Sequence, residues 1–519
     1  MRRRRLSRGL RRVVALSATV LLAAAAAYGA SFAVSPVTQV SPENSPFPEA
    51  DANGPACNGV AGEAQTGRNF PGTEVESWLA ANPVDRSKLV GVWQQDRWSD
   101  GGANATLAAY SLDGGQTWAM SANQPAFTRC TGGTGDTGGY ERATDPWVTI
   151  SPDGSAYYMS LGLDIAEDNN HAMLVSRSND GGRTWGPVTV LKRDTSPNVL
   201  NDKNSMTADP FDSQYVYAIW DRLEFPKAVA ARQAGEHALG YRGPTWFTRT
   251  SDGGATWEPA RMIYDPGAVN QTIGNQVVVT GSGALVDGFD LIYNFQNAHK
   301  VRGLNVAVLR SEDRGATWSA KPTIIDSLRA AGVKDPTSGA PVRTGDIIPE
   351  IAADSRLGHG EVYAVWQDSR STGGDRDQVA FAKSTDGGKT WKTLSYAING
   401  DHRVPAFTPS IAVGPDGTIS VAYYDFRNDD SGVPLVTSAW ILHSHDGGAT
   451  WDDESKVGGD FDMSSGAVAR GYFIGDYSGL AVANGAFTDL PVFANGATPA
   501  TAGATSPAAG SNVYSANAG

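Results

Sequence analysis

The chain has 519 residues, a formal net charge of −13, two cysteines and a 40% share of hydrophobic residues, enough to bury a sizeable core. The first acid-free stretch, residues 2–12, holds seven arginines, so the remainder is more acidic still, at −20. That balance excludes a nucleic-acid binder, whose affinity comes from basic residues meeting phosphates.

Taken in chain order, MRRRRLSRGLRR followed by VVALSATVLLAAAAAYGASFAVS reads as an export signal over residues 1–33. Ser31-Phe32-Ala33 supplies a small-x-small cleavage site, and Arg11-Arg12 fits a twin-arginine variant of the same signal. An uncleaved membrane anchor is the alternative; cleavage is favoured because the run is Ala-rich and ends in small residues. No later stretch could span a bilayer, so a secreted, soluble and monomeric mature domain is expected. Residues 34–56 are rich in Pro and Ser and read as a linker, and 57–519 as one domain. In an exported chain, Cys57 and Cys130 are expected to form a disulfide.

Six copies of one octapeptide then recur: SLDGGQTW (111–118), SNDGGRTW (178–185), TSDGGATW (250–257), SEDRGATW (311–318), STDGGKTW (384–391) and SHDGGATW (444–451). Short β-rich runs precede and follow each copy, which makes it a hairpin turn in which Asp accepts backbone N–H groups and glycines supply positive φ. A second strand pair stands before each hairpin, clearest in PSIAVGPDGTISVAYYDFR (409–427). Two pairs make one propeller blade. With the aspartates about 67 residues apart, the stretch from Cys57 to Gly519 accommodates seven blades, six with a trailing hairpin being the alternative. The last blade lacks an outer strand, which residues near 57–70 are expected to supply, closing the ring and removing free edges.

The octapeptide resembles the Asp-box (BNR) repeat of sialidases and related propellers. The resemblance implies an all-β propeller, a glycan or glycoconjugate ligand and no required cofactor, and it covers hydrolases and non-catalytic binders alike. On propeller topology the six octapeptides lie on the face opposite the mouth of the central funnel. Second strands end at that mouth in WQQDR, WDR, WQDSR and YYDFR, delivering Arg97, Arg222, Arg370 and Arg427; Arg343 and Arg403 enter from first-strand starts. Arginine suits an anionic sugar because its guanidinium forks onto carboxylates. The same Asp-Arg and Asp-x-Arg steps also read as salt bridges between blades.

Tyr477-Ser478-Gly479-Leu480 resembles the sialidase Y-S-x-L around a Tyr nucleophile, with Glu350 or Asp346 as the activating acid. Other family positions depart. GTEVES (72–77) replaces the first arginine motif, Phe407 stands at the aligned place beside Arg403-Val404-Pro405, and Asn275 and Asn294-Phe295 stand where an acid and an arginine are implied. The seven histidines, at 171, 237, 299, 359, 402, 443 and 445, show no metal-ligand spacing. The loop GLDIAEDNN (162–170) offers oxygens for calcium without a spaced motif. Two functions follow: a secreted exo-sialidase-type hydrolase, or a non-catalytic glycan- or protein-binding propeller.

Overall fold

The computed structural model describes residues 32–47, 57, 67–165, 170–226, 241–293, 303–400, 402–430, 435–494 and 510–519. Among them there is no α-helix, and no helix long and apolar enough to cross a membrane. Most strands fall into antiparallel sheets, here I to VII; I and II are joined through an Ala103–Ala143 pair into one eight-stranded sheet, VII has five strands, and the others have four. Their first strands are Glu74–Ala81, Arg142–Ile150, Val199–Ala208, Gln271–Val279, Glu350–Ala353, Ala406–Val413 and Gly479–Ala483. These first strands pack side by side in that order, and the seventh packs against the first. The core consists of apolar wedges between neighbouring sheets. Val90, Tyr158, Leu174 and Trp185 fill the space between I and II, and Trp147, Met206, Ala218 and Trp220 that between II and III. One large cluster holds Trp93 and Leu107 of sheet I, Phe407 and Ile441 of VI, and Leu480, Phe487 and Val513 of VII. Sheet VII is thus buried on both faces.

The octapeptide folds by satisfying itself. In the fifth copy Asp386 Oδ1 accepts from Thr390 N (2.9 Å) and Ser384 Oγ (2.8 Å), and Oδ2 accepts from Thr390 Oγ1 (2.6 Å). Its second glycine also presses on the preceding sheet: a Cβ on Gly388 (φ +80°) would sit 3.2 Å from Val286. The first copy does the same to the last sheet. Trp118 Nε1 donates to Ser515 Oγ at 2.8 Å and Asn517 Nδ2 to Gly114 O at 2.9 Å. The six copies thus clamp six of the seven pairs of neighbouring sheets, all but VI and VII.

Cys57 and Cys130 are disulfide-bonded. The outer strand of sheet VII differs from expectation. It comes from residues 33–40, not from 57–70, of which 58–66 lie outside the described residues. Thr38 pairs with Ser515 and Gln39 with Tyr514, while Ala33 and Gly519 exchange reciprocal backbone hydrogen bonds of 3.2 Å. The supposed linker opens VSPVTQV, whose Val34, Val37 and Val40 join the core cluster. Pro36 is tolerated because an edge strand leaves some N–H positions unused. Residues 1–31 of the expected export signal and 48–56 of the linker lie outside the described residues.

Candidate functional site at the first-strand starts

Five first strands carry a register shift near their start: between Val75 and Trp78, Thr144 and Trp147, Asp202 and Ser205, Ile273 and Gln276, and Phe407 and Ser410. Bulges of this kind bend a strand and re-aim a side chain, and they gather beside active sites. At four of them a non-glycine residue is held at positive φ: Glu76 (52°), Asp145 (50°), Lys203 (45°) and Thr408 (49°). Such backbone costs about 1–3 kcal/mol per residue and persists only where the surroundings enforce it.

Three of the four converge. Lys203 Nζ lies 2.6 Å from Asp476 Oδ2, 3.4 Å from Glu76 Oε1 and 3.6 Å from Asp145 Oδ1. Arg343 grips the same Asp476 through two nitrogens, Nε to Oδ1 at 2.9 Å and Nη2 to Oδ2. Gln94 donates to Glu76 and accepts at 2.8 Å from Arg97 Nη1. Arg97 and Arg343 stand over the Phe473 ring at 5.1 and 4.2 Å. Beneath lie the stacked rings of Trp78 and Trp147, 3.5 Å apart, with Tyr477 against both. Above lies a small sheet of Val333–Lys334, Pro341–Arg343, Tyr472–Phe473 and Ala467–Val468, which carries Arg343 over the cluster. Below the tryptophans an apolar channel of about 300 Å³ runs between all seven first strands, past Val148, Val277, Ile351, Ile411 and Leu480.

The electrostatics separate the carboxyls. Burial pushes Glu76 up to about 8; Lys203 opposes this, and Asp476 and Asp145 add to it. Burial works against the Asp476 charge too, but Arg343 and Lys203 outweigh it and hold that carboxyl well below its usual range. Burial likewise opposes the Lys203 ammonium, and Asp476, Glu76, Asp145 and Asp202 more than restore it. Asp202 is pushed up to about 7 by burial and then by Asp145. At neutral pH the cluster therefore pairs a protonated Glu76 with an ionised Asp476 across one ammonium. Carboxyls driven apart in this way can divide into proton donor and charge-bearing base.

The residues expected from sequence separate into groups. Arg97 and Arg343 belong to the cluster. Arg222 is bound to Asp194 of sheet II (2.9 Å) and to Glu224, and lies over Trp246. Arg370 is bound to Asp368 and to Asp326 of sheet IV (2.9 Å), and Arg427 to Asp425 and Glu454, over Trp440 at 3.8 Å. Arg222 and Arg370 each form a salt bridge between neighbouring sheets, to Asp194 and Asp326. Arg403 is exposed in a turn at φ 64°.

Tyr477 is buried, and its hydroxyl donates to the Pro146 carbonyl at 3.3 Å. Burial, then Glu76, Asp145 and Asp476, push it well above the ordinary tyrosine value. Glu76, Asp145 and Asp476 are thus the acids that act most strongly on Tyr477. Glu350 sits against Gln276 and is pushed up to about 8 by burial. Asp346 lies within electrostatic reach of Asp290 and Asp377.

Sequence reasoning missed Glu76, Asp145 and Lys203. The usable signal was an acid two residues before a tryptophan, E-S-W (76–78) and D-P-W (145–147), inside otherwise buried strands. For metals, Asp354, His359 and Glu361 bring ligand atoms within 4.8 Å of one another, but Arg356 already occupies both oxygens of Asp354. In the calcium candidate 162–170, residues 166–169 lie outside the described residues, and Asp164 accepts from Glu141 N and Asn170 Nδ2. His237, His299, Asn294 and Phe295 also lie outside them.

Residues 242–470 match the family model of a BNR repeat-like domain. A sialidase of Bacteroides fragilis (strain YCH46) is 29% identical over 192 residues, which is 34% of this chain and 33% of that protein's length. Among solved structures, Hadza microbial sialidase Hz136 superposes with a TM-score of 0.46 at 15% identity, covering 84% of this chain and 74% of that one. A Penicillium chrysogenum α-L-arabinanase complexed with arabinobiose gives 0.43 at 11% identity, covering 93% and 98%.

Proposed function

We propose that this chain belongs with the sialidase-like BNR-repeat proteins and is an exported, closed seven-bladed Asp-box propeller with a glycoside-hydrolase site for an anionic sugar, a reading supported by the match of residues 242–470 to the BNR repeat-like model and by the sialidase relative. The observation that carries the reading is the convergence of three strained, ionisable residues, Glu76, Asp145 and Lys203, with Asp476 at the head of the channel. Glu76 is the proton donor to the glycosidic oxygen, and Asp476 is the carboxylate that faces the developing positive charge on the sugar. Lys203, Arg97 and Arg343 supply the cations that an acidic sugar requires. Tyr477 is a wall of the site, since its hydroxyl is spent on Pro146 and its ionisation is opposed by three acids. Entry of substrate requires the small sheet that carries Arg343 to lift away from Asp476.

A second reading, glycan binding without hydrolysis, is favoured by one observation: Glu76, Asp145 and Asp476 are each at most 3% exposed. The experiment is hydrolysis of fluorogenic sialosides, uronides and neutral glycosides by the full chain and by Glu76→Gln. The hydrolase reading expects turnover of an acidic glycoside, reduced on the order of 10²–10⁴-fold in the variant. Retention of acidic glycans on an array with no turnover of any substrate would establish the second reading instead.

A further inference from the structure

A second cavity, of about 1100 Å³, lies between the loop leading from sheet I to sheet II and the strand ends of sheet II. Arg129, Thr134, Asp136, Asp164, Asn170 and Arg193 line it, with Thr195 and three glycines of the run TGGTGDTGG (131–139). None of them belongs to the Lys203 cluster, but the register puts both at the same end of sheet II. Leu163 pairs with Arg142 at the start of the first strand, and Asp164, next in the chain, accepts from Glu141 N at 2.9 Å. From Glu141 to Asp145 of the cluster is four residues of extended chain, roughly 13 Å.

The walls are fixed by their own bonds. Arg193 Nη1 meets Asp136 Oδ2 at 2.5 Å, and Arg193 Nε donates to Asn170 Oδ1 at 2.8 Å. Asn170 Nδ2 donates in turn to Asp164 Oδ2 at 2.8 Å. The loop closes on itself through Gly133 N to Thr128 O (2.8 Å) and Gly139 N to Gly135 O (2.7 Å). It is packed too closely for side chains there: a Cβ on Gly138 would lie 1.9 Å from Ala126 O. Cys130, bonded to Cys57, ties its start. Groups held in advance lose little freedom when a ligand binds.

The lining selects a chemical class. Among the described residues every side chain on it ends in a guanidinium, carboxyl, amide or hydroxyl, so an apolar ligand gains nothing there. Two arginines are matched by two carboxyls, so a polyanion gains little. Fixed donors and acceptors side by side suit a ligand of many hydroxyls, each of which both donates and accepts.

We propose that this cavity binds the neutral, hydroxyl-rich sugars that follow the acidic unit of a glycan held at the Lys203 cluster, with Arg193 and Asn170 as the specificity-determining contacts. The placement after an acidic unit rests on the hydrolase reading above; the ligand class rests on the lining alone.

The test titrates the full chain calorimetrically with cellotetraose, maltotetraose and lacto-N-tetraose, all neutral, and with sodium sulfate as an anion probe. Arg193→Ala removes the central donor. Thr195→Trp, at an exposed position, keeps the bonds of Arg193 and fills the cavity instead, so a lost contact is told apart from a loosened loop. At least one tetrasaccharide should bind the wild type and bind both variants about tenfold more weakly, the worth of a charge-assisted hydrogen bond. The wild type should also prefer an acidic glycan extended by neutral sugars over the acidic monosaccharide glycoside, and both variants should lose that preference. Absence of tetrasaccharide binding, equal affinity in the variants, or binding of sulfate without sugar overturns the site. A preference that persists in both variants overturns its placement. The titration decides the cavity whether or not any acidic glycoside is turned over, so failure of the hydrolase reading is seen separately.

Discussion

Lys203 Nζ and Asp476 Oδ2 meet at 2.6 Å although 273 positions separate them, so one ion pair joins sheet III to the segment entering sheet VII. Glu76 and Asp145 bring sheets I and II to the same ammonium. Whatever its chemistry, the cluster is also a knot among four sheets. Lys203→Met should cost about 3–5 kcal/mol, because buried carboxylates lose their counter-charge. Asp476→Asn should cost a similar amount by leaving Arg343 and Lys203 short of an anion. Denaturant titration of both variants and of the double variant checks this: the double variant should be less destabilised than the sum of the two.

Gly388→Val tests the clamp between sheets. The added side chain must adopt positive φ and meets Val286 at its first carbon, so a loss of about 1–3 kcal/mol is expected. Asp386→Ala removes the acceptor for Thr390 N and Thr390 Oγ1 and should cost about 1–2 kcal/mol. Equal melting temperatures for wild type and Gly388→Val would mean that the glycine is dispensable.

Stability should fall as pH rises from mildly acidic values toward 8. Glu76 and Glu350 rise from 4.5 to about 8, and Asp202 and Asp489 from 3.8 to about 7, chiefly through burial. A raised acid favours the folded state below its unfolded value, and that contribution is lost as pH climbs through the folded value. The octapeptide acids run the other way. Asp252 and Asp313 are lowered to about 2 by hydrogen bonds from Thr256 and Thr317, so their contribution exists above 3.8 and is lost as pH falls toward 2. Both are solvent-exposed, which keeps that effect small. Melting curves should therefore peak at about pH 4–5; a maximum at pH 8 would contradict the burial of these acids.

Most of the scaffold was legible because its signals are local. Each octapeptide carries its own hydrogen-bond partners, and runs such as ISVAYYD (419–425) state a buried strand outright. The strand at 33–40 was hidden because Pro36 and the serines imitate a linker, and its partner lies more than 470 residues away. The site was harder to read for the same reason. Lys203 stands in NDKNSM, which looks like a turn, and only the bulge at Asp202–Ser205 turns its side chain toward Glu76 and Asp476. Arg370 and Arg427 were visible as a periodic pattern, but the sequence does not display Asp326 or Glu454, which neutralise them.

Cys130 anchors the loop leading from sheet I to sheet II through its bond to Cys57. Reduction, or Cys57→Ser with Cys130→Ser, should lower stability by about 2–4 kcal/mol. The hydrogen bonds of the Lys203 cluster should survive, because none is made by the loop. Amide exchange under reducing conditions distinguishes local opening near residues 127–140 from global loss.

The measurement that bears most directly on the site is the turnover of the best acidic glycoside by Tyr477→Phe and Glu76→Gln, side by side and at equal folded fraction. The two-carboxyl assignment predicts that Tyr477→Phe keeps kcat within about tenfold of wild type while Glu76→Gln loses on the order of 10²–10⁴. The opposite ordering, with Tyr477→Phe inactive and Glu76→Gln active, would contradict it and return the nucleophile to the tyrosine.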